Sequence, residues 1–152
     1  MSDDLRELLS CLKSNEVEFL VVGSHVLAFY GRPRFTEDLD VWLRRTRENA
    51  LALKRALNEF GFAFSEQQAL DFVAGRNMIR IGAPPNQVDF LAFLGARDNE
   101  MSFEACAERA ATGELFGVSV RFLCKEDLVA SKQAAGRPKD VRDIEELKEL
   151  DR

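Results

Sequence analysis

The chain has 152 residues, of which 46% are hydrophobic and 31% charged, a balance that excludes disordered, collagen-like, coiled-coil and disulfide-scaffold classes. Lys and Arg number 21 against 26 Asp and Glu, for a net charge of −5 and a pI near 5.0. That charge excludes a whole-surface basic field for non-specific nucleic-acid binding, and the length suits one core and one site.

Leu5, Leu8, Leu9 and Leu12 recur at helical spacing, so the chain opens with an amphipathic helix ending near Ser14-Asn15. Val17 to Val22 reads as a buried strand stopped by Gly23. Ser24 stands at a helix N-cap position, and Val26, Leu27 and Tyr30 carry that helix to Gly31. Arg32-Pro33-Arg34 is a loop. From Glu37 to Leu43 the pattern alternates, with Leu39, Val41 and Leu43 on one side and Asp38, Asp40 and Trp42 on the other.

A helix from about Glu48 to Phe60 is stopped by Gly61, and a shorter one covers Glu66 to Phe72. Asn77 to Ile81 and Gln87 to Leu94 read as strands of a hairpin across Pro84-Pro85-Asn86. Ser102 to Ala110 is helical, and Leu115 to Leu123 is a strand or a pair broken at Gly117. Two helices close the chain, about Glu126 to Ala135 and Pro138 to Leu150, parted by Gly136. The order predicts an α/β (α+β) fold: one domain over 1–152, a mixed sheet flanked by helices, with a helical part at 126–150.

Basic residues concentrate in two places: five Arg against three acids from Arg32 to Arg47, and six basic residues against three acids from Arg121 to Arg142. Either is a solvated face or a welcome for an anion. Cys11, Cys106 and Cys124 are widely spaced, and the single His25 completes no zinc set with them; buried free thiols of a reducing compartment fit best. The acidic N-terminus has no apolar signal core, and no apolar run is long enough to span a bilayer. A cytoplasmic location is expected, as monomer or dimer.

The chemistry concentrates between Phe19 and Leu43. Gly23 lets backbone approach a phosphate closely, and Ser24 adds a hydroxyl at the helix start, although Gly-Ser is also an ordinary cap. Asp38 and Asp40, two apart on a strand, share a face, and their charges repel unless a cation lies between them. Hard oxygen ligands of this kind suit Mg²⁺ or Mn²⁺. Asp89 is a third carboxylate, set in the apolar run Val88 to Leu94, where an unpaired charge is costly. A metal shared with Asp38 and Asp40 satisfies it; a salt bridge to an arginine such as Arg80 also does. His25 reads as a packing or surface residue, and Trp42 as core.

Gly23-Ser24, a helix, Thr36-Glu37-Asp38-Leu39-Asp40 and a later lone Asp89 resemble the nucleotidyltransferase superfamily of the DNA polymerase β type. Gly31 to Asp40 and the tail from Glu126 to Leu147 bring the likeness closer to short prokaryotic members akin to AbiEii-type toxin nucleotidyltransferases. The chain lacks the Ala-Arg-Gly that follows Gly-Ser in minimal antitoxin-type members and is much shorter than full-length AbiEii toxins.

The resemblance implies an Mg²⁺-dependent enzyme that takes an NTP as substrate. It assigns Asp38, Asp40 and Asp89 to metal binding and catalysis, and Gly23 and Ser24 to the triphosphate. Lys132 and Lys139, with Asp140 beside the latter, match a basic motif near the nucleotide, and Asp143 a further acidic position. The tail equally fits a plain amphipathic helix, with Val141, Ile144, Leu147 and Leu150 as its apolar stripe. The acceptor is a tRNA, a protein hydroxyl or a small molecule, with no membrane partner. A non-catalytic nucleotide-binding or protein-interaction module of the same fold is the alternative.

Overall fold

The computed structural model describes residues 3–31, 38–75, 78–83, 86–96 and 99–149. In chain order these form α1 (Asp3–Ser14), β1 (Phe19–Val22), α2 (Ser24–Phe29), β2 (Asp38–Leu43), α3 (Arg47–Phe60) and α4 (Glu66–Val73). There follow β3 (Ile79–Ile81), β4 (Gln87–Leu91), β5 (Gly95–Ala96), β6 (Asn99–Glu100) and α5 (Phe103–Arg109). The last are β7 (Ala111–Leu115), β8 (Val118–Phe122), α6 (Lys125–Ala135) and α7 (Pro138–Glu149). The Arg32-Pro33-Arg34 loop, Glu37, Asn77, Pro84-Pro85 and Leu150 lie outside the described residues.

Six strands make one mixed sheet in the order β3-β4-β2-β1-β8-β7, and β5 pairs with β6 alone. β1 runs antiparallel to β2 and parallel to β8, while β2 and β4 are parallel. This is the mixed, helix-flanked sheet that the pattern predicts. The β3–β4 hairpin forms as expected, but β4 stops at Leu91, three residues short. Leu115 to Leu123 resolves into a hairpin whose first strand starts earlier, at Ala111. Phe116 and Gly117, both at positive φ, make its two-residue turn.

The helix boundaries follow local chemistry. Thr46 caps α3 by accepting from the Asn49 amide, and Gly61 ends it in the left-handed region. Ser65 and Gln68 close a capping box at α4. Asn49 is buried and bonds Glu18 on both backbone groups (2.7 and 2.9 Å) and the Arg44 carbonyl (2.9 Å), so one amide ties α3 to the entry of β1 and the exit of β2. No helix among the described residues is long and apolar enough to cross a membrane.

Registered partners in a sheet share a face, which sorts the side chains. Leu39, Val88 and Ile81 are aligned and look to the side of α1, since Val88 and Ile81 wall a cavity with Leu5 and Leu8. Asp40, Asp89 and Arg80 are aligned one residue on and therefore look to the opposite face. Trp42, two residues beyond Asp40, stays on that face but is buried edge-on against Phe103 of α5, with centroids 5.2 Å apart. It is a core tryptophan, as expected from the sequence.

Candidate active site

Three strand neighbours bring the carboxylates together. Asp40 on β2 is paired with Asp89 on β4, and Asp38 opens β2 two residues before it on the same side. β1 adds the Gly-Ser turn: Val22 is the register partner of Asp40, so Gly23 follows directly beside that carboxylate. A Cβ at Gly23 would overlap Asp40 Oδ2, and its φ of +75° lies where only glycine is comfortable. Glycine there is a requirement of the site's packing.

That contact corrects one expectation. Ser24 is the first residue of α2 and not its cap; Gly23 holds the cap position, with no side-chain cap bond. The short helix is fixed from its far end, where Phe29 stacks on Phe122 at 4.2 Å and the Tyr30 hydroxyl donates to the Leu123 carbonyl at 3.3 Å. Ser24 therefore stands beside Gly23, next to the carboxylates.

The electrostatics of the row are those of anions crowded together. Burial pushes the Asp40 carboxyl up to about 6, reinforced by the charges of Asp89 and Asp38 and opposed by Lys139 and Arg80. Asp89, buried in its apolar strand, accepts two hydrogen bonds from Arg80, Nε to Oδ1 at 2.8 Å and Nη2 to Oδ2 at 3.1 Å. The salt bridge weighed as one partner for Asp89 is thus present. Among the described residues no three His, Cys, Asp or Glu side chains stand as a closed metal-ligand set. The donor chemistry nevertheless fits a hard divalent cation: aligned carboxylate oxygens, one of them kept from ionising by burial and by the charges of its two neighbours.

The tail residues divide into two roles. Lys139 is exposed, and its charge reaches Asp40. Lys132 is instead buried in the α6–α7 contact, donating to Asp143 at 2.8 Å and lying 3.6 Å from Asp140. Asp140, wholly buried, also holds Arg137 through Oδ2 at 2.6 Å and Oδ1 at 3.2 Å. The Arg137 guanidinium holds the Asp140 carboxyl below the usual range despite burial.

Arg137, whose charge also reaches Asp40, is the site residue that sequence reasoning passed over. Its place beside Lys139 in Arg-Pro-Lys-Asp was the available signal. His25 is partly buried, edge-on to Phe116 at 5.8 Å. Burial lowers its imidazole, partly offset by a bond to the Asp38 backbone. Cys11, Cys106 and Cys124 are buried free thiols, as expected. Cys124 caps α6, and Asp127 accepts from it and from Arg109.

No functionally curated protein is similar enough to the chain to be matched. Among solved structures, a candidate nucleotidyltransferase of Thermotoga maritima is similar in fold, with a TM-score of 0.57 at 19% identity over 95% of this chain and 88% of that one. A family model described as a nucleotidyl transferase of unknown function (DUF2204) matches residues 1–152. With that match along its whole length, the chain belongs to this family of nucleotidyl transferases.

Proposed function

We propose that the protein transfers an NMP group from an NTP to an acceptor hydroxyl or phosphate in a reaction that needs Mg²⁺ or Mn²⁺. The observation that carries this is the in-register Asp40–Asp89 pair, with Asp38 beside it and the Gly23 backbone packed on Asp40. Asp38, Asp40 and Asp89 would hold the metal, which when bound supplies positive charge to the triphosphate and to the attacking and leaving oxygens. Gly23 and Ser24 support the triphosphate. Lys139 and Arg137 offset the charge that develops on the leaving pyrophosphate, because both already act on Asp40 across the site. Asp89 takes up the proton of the attacking hydroxyl. Lys132 serves indirectly, by holding α7 where Lys139 faces the carboxylates.

The net charge of −5 disfavours a tRNA acceptor, so a protein hydroxyl or a small molecule is the preferred reading. A cytoplasmic enzyme of a toxin–antitoxin pair, as the AbiEii-type likeness implies, is the proposed context. Calorimetric titration of each common NTP with Mg²⁺ tests the core of this. Saturable, Mg²⁺-dependent binding by the wild type that is lost in Asp40→Asn is expected, followed by transfer of labelled NMP to an acceptor. No nucleotide binding by the folded, metal-supplied protein would sink the enzyme reading. The second reading, a nucleotide-binding module without turnover, draws on the engagement of Asp89 by Arg80; binding without transfer to any acceptor would mark it.

A further inference from the structure

The Asp89 carboxylate spends both oxygens on Arg80, in the fork-to-fork geometry that makes arginine pairs strong. The partners are unequal. Asp89 is fixed in the middle of the buried strand β4, at 7% side-chain exposure, whereas Arg80 comes from the three-residue edge strand β3 and is 53% exposed. On an edge strand and more than half exposed, the guanidinium can swing into solvent without opening the core, whereas Asp89 is held inside β4. The three aligned carboxylates do not close into a ligand set, and the one on β4 is the one already occupied.

Resting on the reading of Asp38, Asp40 and Asp89 as metal ligands, we infer that Arg80 is a positioning residue that stands in for the cation. It holds Asp89 in place in the metal-free protein and competes with the divalent ion for the same two oxygens. Metal binding must displace two charge-assisted hydrogen bonds, so the metal-free protein binds the ion weakly and leaves the site incomplete until the guanidinium swings away. A simple edge-strand ion pair would make the opposite demand: removing Arg80 would cost stability and leave metal affinity unchanged or lower.

The test is Mn²⁺ titration, by calorimetry and by the electron paramagnetic resonance signal of free Mn²⁺, on wild type, Arg80→Met and Arg80→Lys without nucleotide. Arg80→Met keeps an unbranched apolar stem and removes the competing charge. It should bind Mn²⁺ at least about tenfold more tightly than wild type, equivalent to about 1.4 kcal/mol. Arg80→Lys, which keeps the charge but loses the fork, should fall between. Saturating Mn²⁺ should also raise the melting temperature of Arg80→Met by more than that of wild type. Wild type that binds Mn²⁺, with both folded variants binding no tighter, overturns the role of Arg80 and leaves the transferase reading intact. Absence of Mn²⁺ binding in all three, with and without ATP, overturns both. Should Arg80→Met fail to fold, the Arg80→Lys comparison decides alone.

Discussion

Asp40 shows what a single residue of this site costs the fold. Its carboxyl is raised from 3.8 to about 6 by burial and by the neighbouring charges of Asp89 and Asp38. Below the lower value it is protonated in both folded and unfolded chains and costs nothing. Between the two values the folded chain keeps a proton that the unfolded chain has lost, so stability falls as pH rises through that window. Above it the full cost is carried. Asp40→Asn should therefore be more stable than wild type at pH 7.5 in the absence of divalent metal, by about 2 kcal/mol, with the difference vanishing near pH 4. Melting curves across that range measure it. Gly23 belongs to the same account, since only a residue without Cβ lets β1 turn against Asp40. The Asp-x-Asp spacing and the lone Asp89 were legible in the sequence because two-residue alternation fixes a face. Arg80 was legible too as a possible partner of Asp89, but choosing it over a metal, and its two-pronged grip, depended on cross-strand register, which a linear pattern does not carry.

Among the elements, α6 and α7 are joined by charge buried where apolar packing would serve. Lys132, Asp143 and Asp140 are all buried, and Arg137, which pairs with Asp140, is well exposed. Removing the cation alone takes from the buried Asp143 its 2.8 Å charge-assisted hydrogen bond, and from Asp140 one of its two neighbouring cations. Lys132→Met should thus cost about 3–5 kcal/mol, whereas Lys132→Met combined with Asp143→Leu should recover most of it. Urea unfolding of the three proteins checks both. The double variant, once folded, should bind nucleotide as wild type does, because Lys139 still stands on a held α7. A lysine at i, i+4 from a leucine looks the same whether it reaches a ligand or a buried aspartate. The tail motif was therefore readable as a helix pair but not as two roles. The early start of β7 was missed for a similar reason: Ala111-Thr-Gly-Glu-Leu has little strand propensity and is held by pairing with β8.

At the scale of the whole molecule, the strand order was the part least accessible from the chain. The sequence pattern supports a mixed sheet, but only tertiary pairing puts β4 beside β2 and β8 beside β1. That order gathers the site, and it makes the fold respond to its ligands as a unit. Mg²⁺ with the cognate NTP at a hundred times the dissociation constant should stabilise the protein by about 2.7 kcal/mol, raising the melting temperature by roughly 5–10 °C. Each component alone should give less, and differential scanning fluorimetry separates the three conditions.

Gly23, Asp40, Arg80, Asp89 and Lys139 are drawn from positions spread over most of the chain and meet only through the register of β1, β2, β4 and β3 and the docking of α7. A ribosome-bound chain still lacking the residues around 139 has Arg80 beside its carboxylates but not the α7 cations Arg137 and Lys139. A proteolytic fragment that ends within the loops between these strands lacks those α7 cations as well. On the proposed reading such pieces lack the complete site, so transfer to an acceptor would require α7 docked on the sheet.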